Sequence, residues 1–234
     1  MDGFRWKTLV FYGILTLLTL IAIILVITVN SQTKFASDTF RLQVDVILDA
    51  GHGGMDGGAL SANGVCEAPI TLSVTKKAQT LFGFWGVNAL LTRTDEQSLD
   101  YREGASAREN KNADLNARLA VAKQYQDIPF ISIHLNQFSQ TQYSGAQVFY
   151  NRAGETLAQP LQTALRAALD PQNDRVCKPA PEGVFLMKNI GAPAVTVECG
   201  FLSNPEECAK LQQDQYQTKI ALAIVSGYET YDRG

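Results

Sequence analysis

The sequence predicts a single α/β domain: a sheet of about six strands, mostly parallel or mixed, flanked by helices and preceded by an N-terminal transmembrane anchor helix. Three observations carry that prediction. Short apolar runs such as VDVILD (44–49) and FISIHL (130–135) read as buried strands. Longer segments with apolar residues at helical spacing separate them, and strand–helix–strand order implies parallel neighbours. Finally, Val10 to Val29 contains no charged residue.

That first run is long enough, at about 20 apolar positions, to cross a bilayer core of ~30 Å as a helix. It exceeds the usual apolar region of a cleaved signal peptide, and no small-x-small cleavage site follows it. Arg5 and Lys7 precede it, so the positive-inside rule leaves the N-terminus cytoplasmic and the rest outside. The chain therefore divides into an anchor (1–30), a polar linker (31–43) and one extracytoplasmic, membrane-anchored domain (44–234). Its 46% apolar and 18% charged residues allow a sizeable core. A net charge of −3 leaves no basic footprint for nucleic acid. Cys66, Cys177, Cys199 and Cys208 form no C-x-x-C pair. They fit either disulfides in an oxidising exterior or free, buried thiols.

Taken in order, Val44–Asp49 is the first strand and LDAGHGGMDGGA (48–59) a glycine-rich loop at its exit. Glycines there let the chain turn sharply and approach a ligand closely. Glu67 and Pro69 open a helix, and Ile70, Val74, Ala78 and Leu81 carry it to about Phe84. Gly86 ends it before a second strand, Val87–Thr92. Thr94 to Asn112 reads as a long polar loop, and Ala113–Gln124 as a helix. Phe130–Leu135 and Ala146–Tyr150 are the next strands, and Glu155–Leu169 is an amphipathic helix closed by Pro171. Asp170 to Glu182 is a second long loop, and Val184–Met187 a short strand. Ala194–Cys199 is a strand with Glu198 near its end. Ser203, Asn204 and Pro205 cap a helix from near Glu206, and a last helix spans Asp214 to Tyr231.

The chain has only two histidines, His52 and His134, each at a strand exit. Open α/β sheets bind ligands beyond the carboxyl ends of their strands. His52, His134 and Glu198 stand at such ends, and Glu67 opens the helix after the first loop. Two histidines and a carboxylate can hold catalytic zinc with one position left open. A second carboxylate then serves as general base. Plainer roles exist: Glu67 as a first-turn residue favoured by the helix dipole, Glu198 as a satisfied buried acid. Asp49 and Asp56 flank His52 and can replace Glu67 as ligand or accept a hydrogen bond from the imidazole. A cysteine nucleophile, Cys66 or Cys199 with either histidine, is a further alternative, although strand alternation puts Cys199 and Glu198 on opposite faces. G-x-G-x-x-G, G-K-[ST], G-x-S-x-G and H-E-x-x-H are all absent.

The segments LDAGHGGMDGGA, SIHLN (132–136), SGAQVFYN (144–151) and VECGFLSNPEE (197–207), in that order, resemble the zinc-dependent N-acetylmuramoyl-L-alanine amidases. The likeness runs from Val44 to the C-terminus and is strongest to the membrane-anchored, germination-specific spore-cortex branch. It implies a six-stranded mixed sheet and hydrolysis of the amide joining the muramic acid lactyl group to L-alanine in peptidoglycan. It implies one zinc ion on His52, Glu67 and His134, with Glu198 as the catalytic glutamate that takes a proton from water and passes it to the leaving amine. Arg93 and Asn136 match positions near the site. For the spore branch, the resemblance further implies action in the spore intermembrane space. Peptide removal there prepares muramic acid for a downstream deacetylase and lactam formation needed for germination. An activating protein partner is also implied, and the segments 94–112 and 170–182 are candidate contacts on loop length alone. Ala50 stands where the family often has proline, and Cys199 where a small or β-branched residue is usual. Ser98–Asn112 matches less clearly, so no groove contacts are carried over there. Two rival classes are a catalytically silent peptidoglycan-binding or amidase-regulating protein and a cysteine-dependent cell-wall peptidase.

Overall fold

The computed structural model describes residues 11–12, 14, 17–26 and 43–232, and its chain forms two units, 1–43 and 44–234. In the first unit, residues 11–12, 14 and 17–26 are helical and exposed. The rest of the predicted anchor (1–30) and linker residues 31–42 lie outside the described residues. Among those described, no helix is long and apolar enough to cross a membrane.

The second unit begins with strand β1 (Val46–Ala50), helix α1 (Glu67–Phe84), β2 (Ala89–Leu91) and α2 (Ala107–Gln124). There follow β3 (Phe130–Asn136), β4 (Gln147–Tyr150), α3 (Glu155–Leu169), β5 (Lys178–Pro179) and α4 (Phe185–Asn189). The last elements are β6 (Ala194–Phe201), α5 (Pro205–Leu211) and α6 (Asp214–Asp232). They build one six-stranded sheet in the order β2-β1-β3-β6-β4-β5. It is mixed: β2, β1, β3 and β6 run parallel, and only the β4–β6 pairing is antiparallel. The predicted fold class is what the chain adopts from Val44 onward.

Alternation along the strands assigns each side chain to a face. Val46 and Leu48, Ile131 and Ile133, and Val195 and Val197 join the larger core, against α1, α3 and α6. Ile47, Phe130 and Ala194 point the other way, into a smaller core with Leu119 and Ala122 of α2 and Leu186 and Met187 of α4. On that second face the series continues toward the carboxyl ends as Asp49, Ser132, His134 and Glu198, paired in register as Asp49↔Ser132 and His134↔Glu198. The same parity thus runs from apolar to polar along the strands.

Three elements differ from the sequence reading. α2 begins at Ala107, six residues before the predicted start, because Ser106 and Glu109 form a reciprocal capping box. Val184–Met187 is not a strand: Val184 is the N-cap of α4, and Leu186 and Met187 bury one side of a single helical turn. The sixth strand is instead β5, two residues inside the predicted loop 170–182, paired with Phe149 and Tyr150.

Candidate active site

At the exit of β1, Gly51 makes a last sheet hydrogen bond to the Ile133 carbonyl. His52 follows at φ 61°, the single positive φ on a non-glycine residue among those described. A side chain on Gly51 would overlap the His134 imidazole, and one on Gly58 would meet the Glu67 carboxylate and the His52 ring. These two glycines are therefore the space in which the three side chains converge.

Glu67, the first residue of α1, is buried. Its Oε1 accepts from the Leu135 N–H at 2.8 Å and faces His134 Nδ1 at 2.9 Å. Its Oε2 accepts from the Ala59 N–H at 2.8 Å and faces His52 Nε2 at 3.2 Å. Burial works against the charge. The hydrogen bonds from His134 and His52 outweigh it and hold the carboxyl well below its ordinary range. The two imidazole rings lie 4.9 Å apart at 81°. One ligand atom from each of His52, Glu67 and His134 falls within 4.8 Å of the others.

Behind His52, Asp56 Oδ2 accepts from Nδ1 at 3.1 Å, and Lys111 Nζ sits 3.3 Å from the same oxygen. That is the outer-shell arrangement that fixes an imidazole's orientation and tautomer. Although burial opposes it, the Asp56 and Glu67 contacts raise the His52 pKa to about 9. Asp49 is fully engaged elsewhere, by Arg118, Ser132 at 2.6 Å and Thr92 at 2.7 Å. Of the three candidate acids Asp49, Asp56 and Glu67, only Glu67 stands between the two histidines.

Glu198 pairs across β3–β6 with His134. Its Oε2 is buried without a hydrogen-bond partner. Burial, reinforced by the Glu67 charge and opposed by the histidines, pushes its pKa to about 7. A carboxyl poised there can take up and release a proton near neutral pH. An orphaned buried oxygen beside a His–Glu–His cluster fits a site built to receive an ion and a polar substrate.

A family model described as N-acetylmuramoyl-L-alanine amidase matches residues 46–230. The chain belongs to the N-acetylmuramoyl-L-alanine amidase family. The germination-specific N-acetylmuramoyl-L-alanine amidase of Bacillus subtilis (strain 168) is 33% identical over 189 residues, which cover 80% of this chain and 78% of that one. Among solved structures, the CwlD amidase of Clostridioides difficile, in complex with the GerS lipoprotein, is 39% identical. It aligns with a TM-score of 0.77 over 80% of this chain and 98% of its own. The amidase AmiC2 of Nostoc punctiforme aligns at 0.70 with 26% identity, over 82% and 98% of the two chains. The activity of this enzyme is the one for which its family is named.

In this amidase the two further residues that the resemblance places near the site stand outside the His–Glu–His cluster. Arg93 is buried and donates to the carbonyls of Ala50, Gly51, Ala68 and Asp95, so it braces the glycine loop from behind. Asn136 ends β3 at a register shift, with its Oδ1 on the Gln137 N–H. All four cysteines are free. Cys199 lies in the larger core, where burial pushes its thiol well above its ordinary pKa, so it faces away from Glu198. The residue that sequence reasoning missed is Arg118, buried against Asp49, Asp114 and the backbone of His52. Its helical spacing from Lys111 and Asp114 was visible, but its partner Asp49 stands 69 residues away.

Proposed function

We propose that this amidase uses one zinc ion, held by His52, Glu67 and His134, with Glu198 as general base, to free the peptide stem from muramic acid in peptidoglycan. The observation that carries the reading is the convergence of three ligand atoms within 4.8 Å beside the unpartnered Glu198 oxygen. When bound, zinc supplies Lewis-acid polarisation of an amide carbonyl and lowers the pKa of a bound water to about 7. The protein does the rest. Asp56 orients His52 through Nδ1, and the Leu135 and Ala59 N–H groups hold both Glu67 oxygens in place. Glu198, raised to about 7, accepts the proton of the attacking water at a carboxylate oxygen and returns it to the nitrogen of the departing L-alanine.

The same proposal extends to setting. The likeness to a germination-specific amidase supports a role in spore cortex maturation, upstream of a muramic acid deacetylase, in the spore intermembrane space. The charge-free run Val10–Val29 behind Arg5 and Lys7 supports a membrane anchor with the N-terminus cytoplasmic. The solved complex of a relative with a lipoprotein supports an activating protein partner.

The test is mass spectrometry of peptidoglycan digested by the detergent-solubilised full chain, with and without a chelator. The expected products are peptide-free muramic acid and stems with a free L-alanine amino group, both lost on chelation. Cleavage inside the stem, or full activity in chelator, would contradict the reading.

A further inference from the structure

Where β1 hands over to the glycine loop, three successive carbonyls are met by guanidinium groups. Arg93 donates Nε to Ala50 and Nη2 to Gly51, each at 3.0 Å. Arg118, on α2, donates Nη1 to Ala50 at 2.7 Å and Nη2 to His52 at 2.6 Å. Only Arg118 touches the backbone of a predicted ligand. The contact falls on the residue whose left-handed conformation L side chains rarely adopt, and such a conformation persists only where its surroundings impose it.

We propose that Arg118 is a positioning residue for the metal site: its hydrogen bond to the His52 carbonyl imposes the backbone conformation that points the His52 imidazole at Glu67. The inference rests on the zinc reading given above. Arg118 is 2% exposed and its own side chain is fixed twice more, by Asp114 at 2.7 Å and by Asp49. It is a rigid donor, because a planar guanidinium serves several acceptors in directions set by its fork. Lys111, Asp114 and Arg118 follow one another at helical spacings of three and four, so they share a face of α2. From that face Lys111 reaches Asp56, the acceptor of His52 Nδ1, so the helix fixes both the ring and the backbone of His52 without supplying a ligand.

A plainer role for Arg118 is to neutralise the buried Asp49, and two variants of the full-length chain separate the roles. R118K keeps the positive charge and loses the fork. The double variant D49N/R118M removes the fully buried pair together, so Asp49 is not left as an uncompensated buried charge, while the less buried Asp114 keeps its hydrogen bond from the Leu99 N–H. Zinc affinity is measured by competition with a chromophoric chelator, and thermal melting of the metal-free protein is recorded alongside. If Arg118 positions His52, both variants bind zinc about 10- to 100-fold more weakly, the range expected when an outer-shell partner is lost. The double variant does so while melting closer to wild type than the single variant R118M, prepared as its control. A zinc affinity within twofold of wild type in either variant would overturn the inference. Wild-type protein that takes up no zinc would instead overturn the reading beneath it.

Discussion

The two faces of the sheet do different work with the same strands. On one face Val46, Leu48, Ile131, Ile133, Val195 and Val197 are fully buried under α1, α3 and α6, with no polar side chain from these strands among them. On the other, the residues between them begin as Ile47, Phe130 and Ala194 and end as Asp49, Ser132, His134 and Glu198. Polar groups there are costly unless paired. Ser132 donates to Asp49, Asp49 also pairs with Arg118, and on this face Glu198 keeps an unpartnered oxygen. Stability is thus concentrated on one side of the sheet and chemistry on the other, so each can be broken without the other.

The largest effect should come from the polar face. His134→Ala removes a proposed ligand, and zinc content and amide hydrolysis should both fall to background while circular dichroism stays native. On the apolar face, Leu161→Ala, in the fully buried middle of α3, should cost about 2–5 kcal/mol in denaturant unfolding and leave zinc affinity unchanged. Two glycines make a matched pair. A Cβ at Gly51 would enter the His134 ring, whereas one at Gly227 would enter the backbone of Leu161 where α6 crosses α3. Gly51→Ala should therefore weaken zinc binding more than it lowers the melting temperature, and Gly227→Ala the reverse.

A smaller effect separates the metal-free from the loaded protein by pH. His52 rises from 6.5 to about 9 in the metal-free site despite its burial, because Asp56 and Glu67 favour its charged form. A histidine raised on folding stabilises fully below its unfolded pKa and loses that contribution as pH climbs through the folded one. Melting of the metal-free protein should therefore decline between pH 6.5 and about 9, a decline that zinc should suppress. Smallest of all, Lys111→Met removes a surface pair with Asp56 and should change stability by no more than about 1 kcal/mol.

Much of this was legible in the chain itself. Strand exits and a helix start made His52, Glu67, His134 and Glu198 candidates, because a parallel sheet brings such ends together, and the resemblance gave them their roles. Choosing Glu67 over Asp49 or Asp56 was not possible by spacing: Asp49 is diverted by Arg118, a long-range contact, and Asp56 is placed behind the ring by the turn of the glycine loop. Val184–Met187 misled because four apolar residues fit a strand and a helical turn equally well. The start of α2 was announced by Ser106 and Glu109, but the five polar residues from Arg108 to Asn112 hid it. The two-residue β5 carries no pattern to find.

The central claim is that one set of side chains holds zinc and a different one moves the proton. Zinc content and muropeptide turnover measured together on purified Glu198→Gln test it most directly, since the substitution keeps shape and removes the titrating group. The account predicts one zinc per chain, as in wild type, with turnover reduced by about 10²–10⁴-fold. A Glu198→Gln protein that turns over at the wild-type rate, or that loses its zinc, would contradict it.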